Sequence, residues 1–388
     1  MSGTSVKGYN SSFFNGLTIE GGFHTDMYGL CCPQIRGPGI TDQVCFAPED
    51  AISTCYALIG DTVQRVLLWI VGIIAVLGNF TVIVCRFVWN KSVLNKAYGI
   101  FVTNLGVSDF IMGVYLLVIA SADLYYNGIY ITKNIYWKQS LVCHIAGFLS
   151  TLSSETSAFF VLLVTIDRYF VLKFPFGQYG FTKRSTLIAS VAAWSCGFAL
   201  ALTPSLPNFN DWTIFYVNGM CLGLPLTVER LGGWEYSVAI FVGLNTVMFV
   251  VIAAGQYSIY QAMSGNRAAK TAVHNSNRRS QDVAVAKQLF LVVLTDFLCY
   301  FPVGLMGLLA MTGHQIGNKV YAWSAVLVLP INSAINPVLY TVPVIQNKWL
   351  QFQRRHFRFG LKRDKSQNAN PVATLSNALE YNLKNITL

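Results

Sequence analysis

The residues best placed to do chemistry in this chain would exchange ion pairs rather than make or break bonds. Asp167-Arg168-Tyr169 closes a long apolar stretch, and an Asp-Arg pair at the mouth of a hydrophobic span is too costly to keep as filler. A guanidinium presents five donors in a planar fork, so its pairs with carboxylates are strong and can be traded for others. A second set, Asn79, Asp109, Ser157, Asn332, Ser333 and Asn336, falls at mid-depth in apolar stretches. Unpaired burial of such groups is expensive, so they read as one hydrated polar core, in which Asp109 and its oxygen-bearing neighbours could hold a sodium ion. Ser157 and Ser333 taken alone read as hydrogen bonds between helices. Glu155 and Asp296 are two more carboxylates inside apolar stretches. Each either biases the helix arrangement through its protonation or pairing, or simply ties spans together. No His-Glu-x-x-His or Gly-x-Ser-x-Gly arrangement occurs, so no catalytic residues and no enzyme activity are expected.

The elements that position these groups follow from composition. The 388 residues are 54% hydrophobic and 11% charged, which is too apolar for an ordinary soluble domain. Seven stretches reach the roughly 20 residues needed to cross a bilayer as a helix: Val63 to Val88, Lys96 to Ala122, Leu141 to Val171, Thr186 to Pro204, Tyr236 to Gln261, Val283 to Met311 and Val320 to Thr341. The fold expected is an all-α seven-helix membrane bundle over residues 61–345. Pro204, Pro302, Pro330 and Pro337 would kink spans and open hinges.

Charge sets the orientation. The net charge of +10 is spread over alternate connections rather than gathered on one module, so no nucleic-acid partner is expected. Arg86, Lys91 and Lys96, then Lys173, Lys183 and Arg184, then Arg267, Lys270, Arg278 and Arg279, then Lys348 to Lys365 mark the cytoplasmic side. The amino end is then outside and the carboxyl end inside, as in a multi-pass plasma-membrane protein whose first span serves as its own insertion signal. Of nine cysteines, Cys31, Cys32, Cys45, Cys55, Cys143 and Cys221 fall outside, in an oxidising compartment that favours disulfides. Their spacing leaves the pairing open. Asn10-Ser11-Ser12 is an exterior glycosylation triplet.

Residues 1–60, rich in Gly, Ser and Pro, read as a short disulfide-stapled stalk without helical or strand periodicity. The third inner connection, Met263 to Gln281, is polar, basic and expected to be mobile. Residues 346–361 interleave Trp349, Leu350, Phe352, Phe357 and Phe359 with Lys348, Arg354, Arg355 and Arg358, the pattern of an amphipathic helix lying on anionic membrane lipids. Residues 362–388 form a tail expected to be disordered.

Several motifs then appear in a fixed order: Gly78-Asn79, Asn104-Leu105 followed by Asp109, Asp167 to Tyr169, Trp194, Cys299 to Pro302, and Asn336-Pro337-Val338-Leu339-Tyr340. In this the chain resembles the rhodopsin-like G-protein-coupled receptors. The resemblance implies that Arg168 holds the resting state through Asp167 and Asp282, and swings toward Tyr340 and a heterotrimeric G protein on activation. It also implies a Cys143–Cys221 disulfide, and arrestin as a further partner. Three positions depart from the family pattern, Tyr300 standing where a Trp usually precedes Pro302, Gln256 where a Tyr is usual, and Asn245 where many members place the fifth-span proline.

Ser154-Glu155, Thr295-Asp296-Phe297 and the Asn245 span are similar to the leucine-rich-repeat-containing receptors. Met112 to Leu116, Phe174-Pro175-Phe176, Lys183-Arg184, Asn218 to Cys221 and Pro330 to Ala334 look most like the relaxin group. That resemblance implies a peptide or protein hormone as ligand, and likens the stalk cysteines to a hinge. It covers Cys31 to Phe359 and includes no repeat ectodomain, so a truncated or constitutively active receptor is a second reading. An ion-coupled transporter using Asp109, Glu155 and Asp296 is a third, although the inverted repeats it requires are not evident. An opsin would need a mid-span lysine in the seventh stretch, where only Lys319 occurs, at the outer edge.

Overall fold

The computed structural model describes residues 21–339 together with Phe14 and Gly16, apart from short stretches at 26, 37–38, 48–49, 51, 90, 175–178, 207–211, 213, 217, 224–231, 266–275, 313, 315–316 and 329. The described residues belong to one compact unit ending at Leu339. Asn10, Tyr340, the amphipathic segment 346–361 and the tail 362–388 lie outside the described residues, as does the side chain of Asp282.

Seven helical stretches are long and apolar enough to cross a membrane. Span one, Thr62–Val88, starts where the Asp61 carboxylate accepts from the Val63 amide at 2.8 Å, satisfying one of the donors a helix start leaves free. Span two runs Ala97–Tyr126, a turn beyond the expected Ala122. Polar Ser121 and Asp123 weakened the hydropathy signal there, but helical hydrogen bonding does not depend on it. Span three, Leu141–Lys173, is capped by Ser140, and span four, Lys183–Leu202, by Thr182. Pro204 lies in a 3₁₀ turn, Thr203–Ser205, that ends span four.

Span five, Trp234–Ala262, contains a π-helical stretch, Val238–Leu244. The sixth helix, Ser276–Met311, carries Pro302 inside it. The fifth-span helix continues to Gly265 and the sixth begins at Ser276, so residues 263–265 and 276–281 of the third connection, expected to be mobile, are helical, while 266–275 lie outside the described residues. Polar and basic residues such as Arg278 and Arg279 are good helix formers once outside lipid. Span seven is not one regular helix. Asn318–Trp323 passes into a π stretch, Ser324–Val328, and α-helix resumes at Pro330.

Small residues let the spans approach. A side chain on Gly113 of span two would meet Val76 and Ala75 of span one at 2.8–3.0 Å, and one on Gly197 of span four would meet Thr156 of span three at 2.4 Å. Helices in lipid pack by such close contact, since apolar burial gives little preference for protein over lipid tails.

The stalk is more structured than its composition suggested. Disulfides join Cys31 to Cys45 and Cys32 to Cys55, and two short parallel strands, Phe23–His24 and Cys45–Phe46, pair beside them. Phe14, Leu30, Cys32, Ile35 and Ile40 form a small buried cluster that is completed by Ile131. Ile131 belongs to a helix, Tyr130–Lys138, between spans two and three. The cross-links and the borrowed Ile131 supply the core that a segment of this composition lacks.

Candidate functional site

At the stalk end of the bundle the chain's own segments occupy the space between the spans. Ile52, Leu58 and Ile59 share one buried cluster with Tyr126, Tyr130, Trp137, Met220 and Tyr321. The Asp123 carboxylate, near the end of span two, organises this region. It accepts the Ile59 amide at 2.9 Å and pairs with the Arg65 Nε of span one at 2.6 Å, while Arg65 Nη2 donates to the Ile59 carbonyl at 3.0 Å. The Cys143–Cys221 disulfide ties span three to the turn at Asn218–Cys221. That turn is read by three spans or their extensions: the Trp137 indole donates to the Gly219 carbonyl at 2.8 Å, Tyr115 to the Met220 carbonyl at 2.9 Å, and the Asn218 amide to the Tyr321 hydroxyl at 3.1 Å. Sequence reasoning missed Arg65, Asp123 and Trp137. An opposite-charge pair at matching ends of two consecutive spans was the available signal.

In mid-bundle the expected polar core is largely assembled. The Asp109 carboxylate accepts from the Ser333 hydroxyl at 3.0 Å and from the Asn336 amide at 2.8 Å. Asn79 donates to the Ser333 and Ala75 carbonyls, each at 2.9 Å. Asn332 donates to Asp296 of span six and lies within 3.3 Å of the Ser333 hydroxyl. Ser157 is buried beside the Asp109 carboxylate, but its hydroxyl has no hydrogen-bond partner of good geometry. Span three instead engages span two higher up, where Ser108 bonds Thr156 at 2.8 Å and Ser153 donates to the Ser108 carbonyl at 2.7 Å. Pro337 lies against Gly78, where a Cβ would come within 2.9 Å. This explains why glycine precedes Asn79.

Glu155 sits apart from that core. Its Oε1 accepts from the Asn245 amide at 3.3 Å, and its Oε2 is buried without a partner. Asn245 stands at the exit of the π stretch in span five, a geometry often found at functional positions. Beside it the Tyr300 hydroxyl and Ser154 come within 3.3 Å, and the Tyr300 ring packs on Phe249 at 5.7 Å. Ser154, Asn245 and Tyr300, together with Phe249, Phe301 and Leu305, line a cavity of about 180 Å³ between spans three, five and six.

At the far end, Arg168 is buried and its fork is turned onto Asp167 of the same helix, which accepts from both Nε and Nη2. Tyr169 points elsewhere, its hydroxyl receiving the Lys173 ammonium at 2.6 Å. Gln256, at the position where a Tyr was expected, donates to Thr165 of span three at 3.1 Å. Trp194 donates to Asn104 at 2.9 Å. The Arg168 pairing with Asp282 and the swing toward Tyr340 concern side chains outside the described residues.

The sequence pattern of the 7 transmembrane receptor (rhodopsin family) matches residues 78–340. The chain is 39% identical over 330 residues to G-protein coupled receptor GRL101 of Lymnaea stagnalis, covering 85% of this chain and 28% of that protein. It is 32% identical over 319 residues to human Relaxin receptor 1, covering 80% and 42% respectively. Against Thyrotropin receptor of Felis catus it is 27% identical over 309 residues, covering 78% and 38%. The chain therefore spans less than half the length of these relatives. The chain belongs to the rhodopsin family of seven-transmembrane receptors and resembles its relaxin receptors.

Proposed function

We propose that this chain converts the docking of an extracellular peptide or protein hormone into nucleotide exchange on a heterotrimeric G protein, making and breaking no bond itself. The stalk end faces outside and the Arg168 end faces the cytoplasm, in line with the distribution of Lys and Arg. The observation that carries the reading is the seating of Ile52, Leu58 and Ile59 among the span ends. A macromolecule arriving there meets the stalk first, and any displacement of it passes directly to spans one and two through Asp123 and Arg65. At the other end the Arg168 fork is an element whose partners can be exchanged. Arrestin would engage the same end, and the basic amphipathic segment 346–361 would lie on anionic lipids.

The polar core fits a sodium ion as a stabiliser of the resting arrangement. Asn79 Oδ1, Asn336 Oδ1, Ser157 Oγ and Asp296 Oδ2 are buried oxygens without hydrogen-bond partners, and an oxygen-coordinated cation would satisfy such groups. Asp109 would supply the charge.

The test is basal and relaxin-stimulated nucleotide exchange by the full chain in membranes, beside Arg168→Ala. The variant should reach the surface at normal levels and lose exchange activity. Normal signalling from it would overturn the switch role.

A further inference from the structure

The hydrogen bonds from Arg168 to Asp167 lie within span three. A contact from Arg168 to another span is aromatic. The Arg168 guanidinium carbon lies 4.6 Å from the centroid of the Tyr98 ring, at the start of span two. The face of an aromatic ring attracts a cation through its quadrupole, and more strongly when both are withdrawn from water. Arg168 is 5% exposed and its Nη1 has no hydrogen-bond partner. A planar guanidinium stacked on a ring satisfies its charge without further hydrogen bonds.

Tyr98 is held as a fixed platform. Arg86 of span one donates to the Gly99 carbonyl at 3.3 Å and to Thr103 at 3.0 Å. The Gly99 amide donates to the Lys96 carbonyl at 3.0 Å. A Cβ on Gly99 would fall 2.0 Å from the Val93 carbonyl oxygen, so the connection between spans one and two is pressed directly against the residue following Tyr98. The backbone that carries the ring is therefore held in place. Lys96 places a second cation 5.9 Å from the same ring.

We propose that the Tyr98 ring is the second half of the resting latch: Asp167 orients the Arg168 fork along span three, and the face of Tyr98 holds it across to span two. Tyr98 is a positioning residue acting through Arg168. The proposal rests on Arg168 being the switch, and its failure is separable from failure of that role.

The experiment uses the full chain at matched surface expression and reads basal nucleotide exchange on a G protein. Tyr98→Leu keeps apolar bulk but removes the ring face, and basal exchange should rise roughly three- to thirtyfold, the range set by loss of a partly desolvated cation–π contact. Tyr98→Phe keeps the face and should stay near the native baseline. A fluorinated phenylalanine series at position 98 withdraws charge from the ring at nearly constant shape, so basal exchange should climb with each added fluorine. That series also decides the matter if Tyr98→Leu fails to reach the surface. A flat response to fluorination, or an equal rise in Tyr98→Phe and Tyr98→Leu, overturns the clamp. If Tyr98→Leu is silent while Arg168→Ala abolishes exchange, the clamp fails and the switch stands. If Arg168→Ala signals normally, the switch itself has failed.

Discussion

Asp123→Asn probes how the stalk is fastened to the spans, and its effect can be worked from contacts. The native carboxylate is 1% exposed, accepts from the Ile59 amide, and is ion-paired with Arg65, whose side chain is 29% exposed. Neutralising the acceptor turns a charge-assisted bond to Ile59 into an ordinary one, a loss of about 1 kcal/mol. The ion pair is buried at one partner and partly wetted at the other, so its loss falls between the roughly 0–1 kcal/mol of an exposed pair and the 3–5 kcal/mol of breaking a buried one. Relief of carboxylate burial offsets part of this. The net is about 2 kcal/mol, or an opening equilibrium for the Ile52–Gly60 segment about 30-fold larger. Hydrogen exchange of the native and variant receptors in nanodiscs measures this at the Ile59 and Gly60 amides, the second of which donates to the Ile52 carbonyl. Adding Arg65→Met to Asp123→Asn should change little more, since the pair is already broken. Exchange accelerated by less than about threefold would refute the reasoning, as would full additivity of the two substitutions.

Three further expectations concern packing, covalent closure and pH. Gly113→Ala forces its methyl to within 3.0 Å of Val76 and Ala75 and should destabilise the receptor by about 1–3 kcal/mol, read as a lower thermal midpoint. Gly304→Ala, whose added carbon meets only Thr246 Oγ1 at 4.0 Å, should leave that midpoint in place. Equal behaviour of the two would contradict the packing account. Cys221→Ser opens the closure of span three onto the Asn218–Cys221 turn and should cost about 2–5 kcal/mol, seen as reduced surface expression; native expression and stability would refute it. In the stalk, Arg36 donates to Asp42 and holds its exposed carboxyl below the usual carboxylate range. Because the folded value is depressed, this contribution is complete above the unfolded carboxylate pKa and is lost as pH falls through the folded one. The Asp42 carboxyl should titrate by NMR below its ordinary midpoint, and Arg36→Gln should restore that midpoint; a native midpoint already at the ordinary value would refute the pairing.

Much of this protein was legible in the chain because lipid imposes a coarse code. A span must satisfy its own backbone and present apolar side chains for some twenty residues, so the seven stretches could be read from hydropathy, and the cost of exposing a polar group to lipid pointed Asp109, Asn332, Ser333 and Asn336 inward. The order of motifs carried the resemblance to the receptor family. Which polar group meets which was not readable. Ser157 and Asn336 are equally polar and equally mid-span, yet Asn336 makes a well-formed hydrogen bond to Asp109 and Ser157, beside the same carboxylate, does not, because helix rotation sets side-chain azimuth and hydropathy carries no azimuth. The cysteine pairs in the stalk, Ile131 completing its core, Asp123 holding Ile59, and Tyr98 lying under Arg168 join residues tens of positions apart in sequence. Each depends on distances that exist only once the spans have packed, so tertiary structure alone decided them.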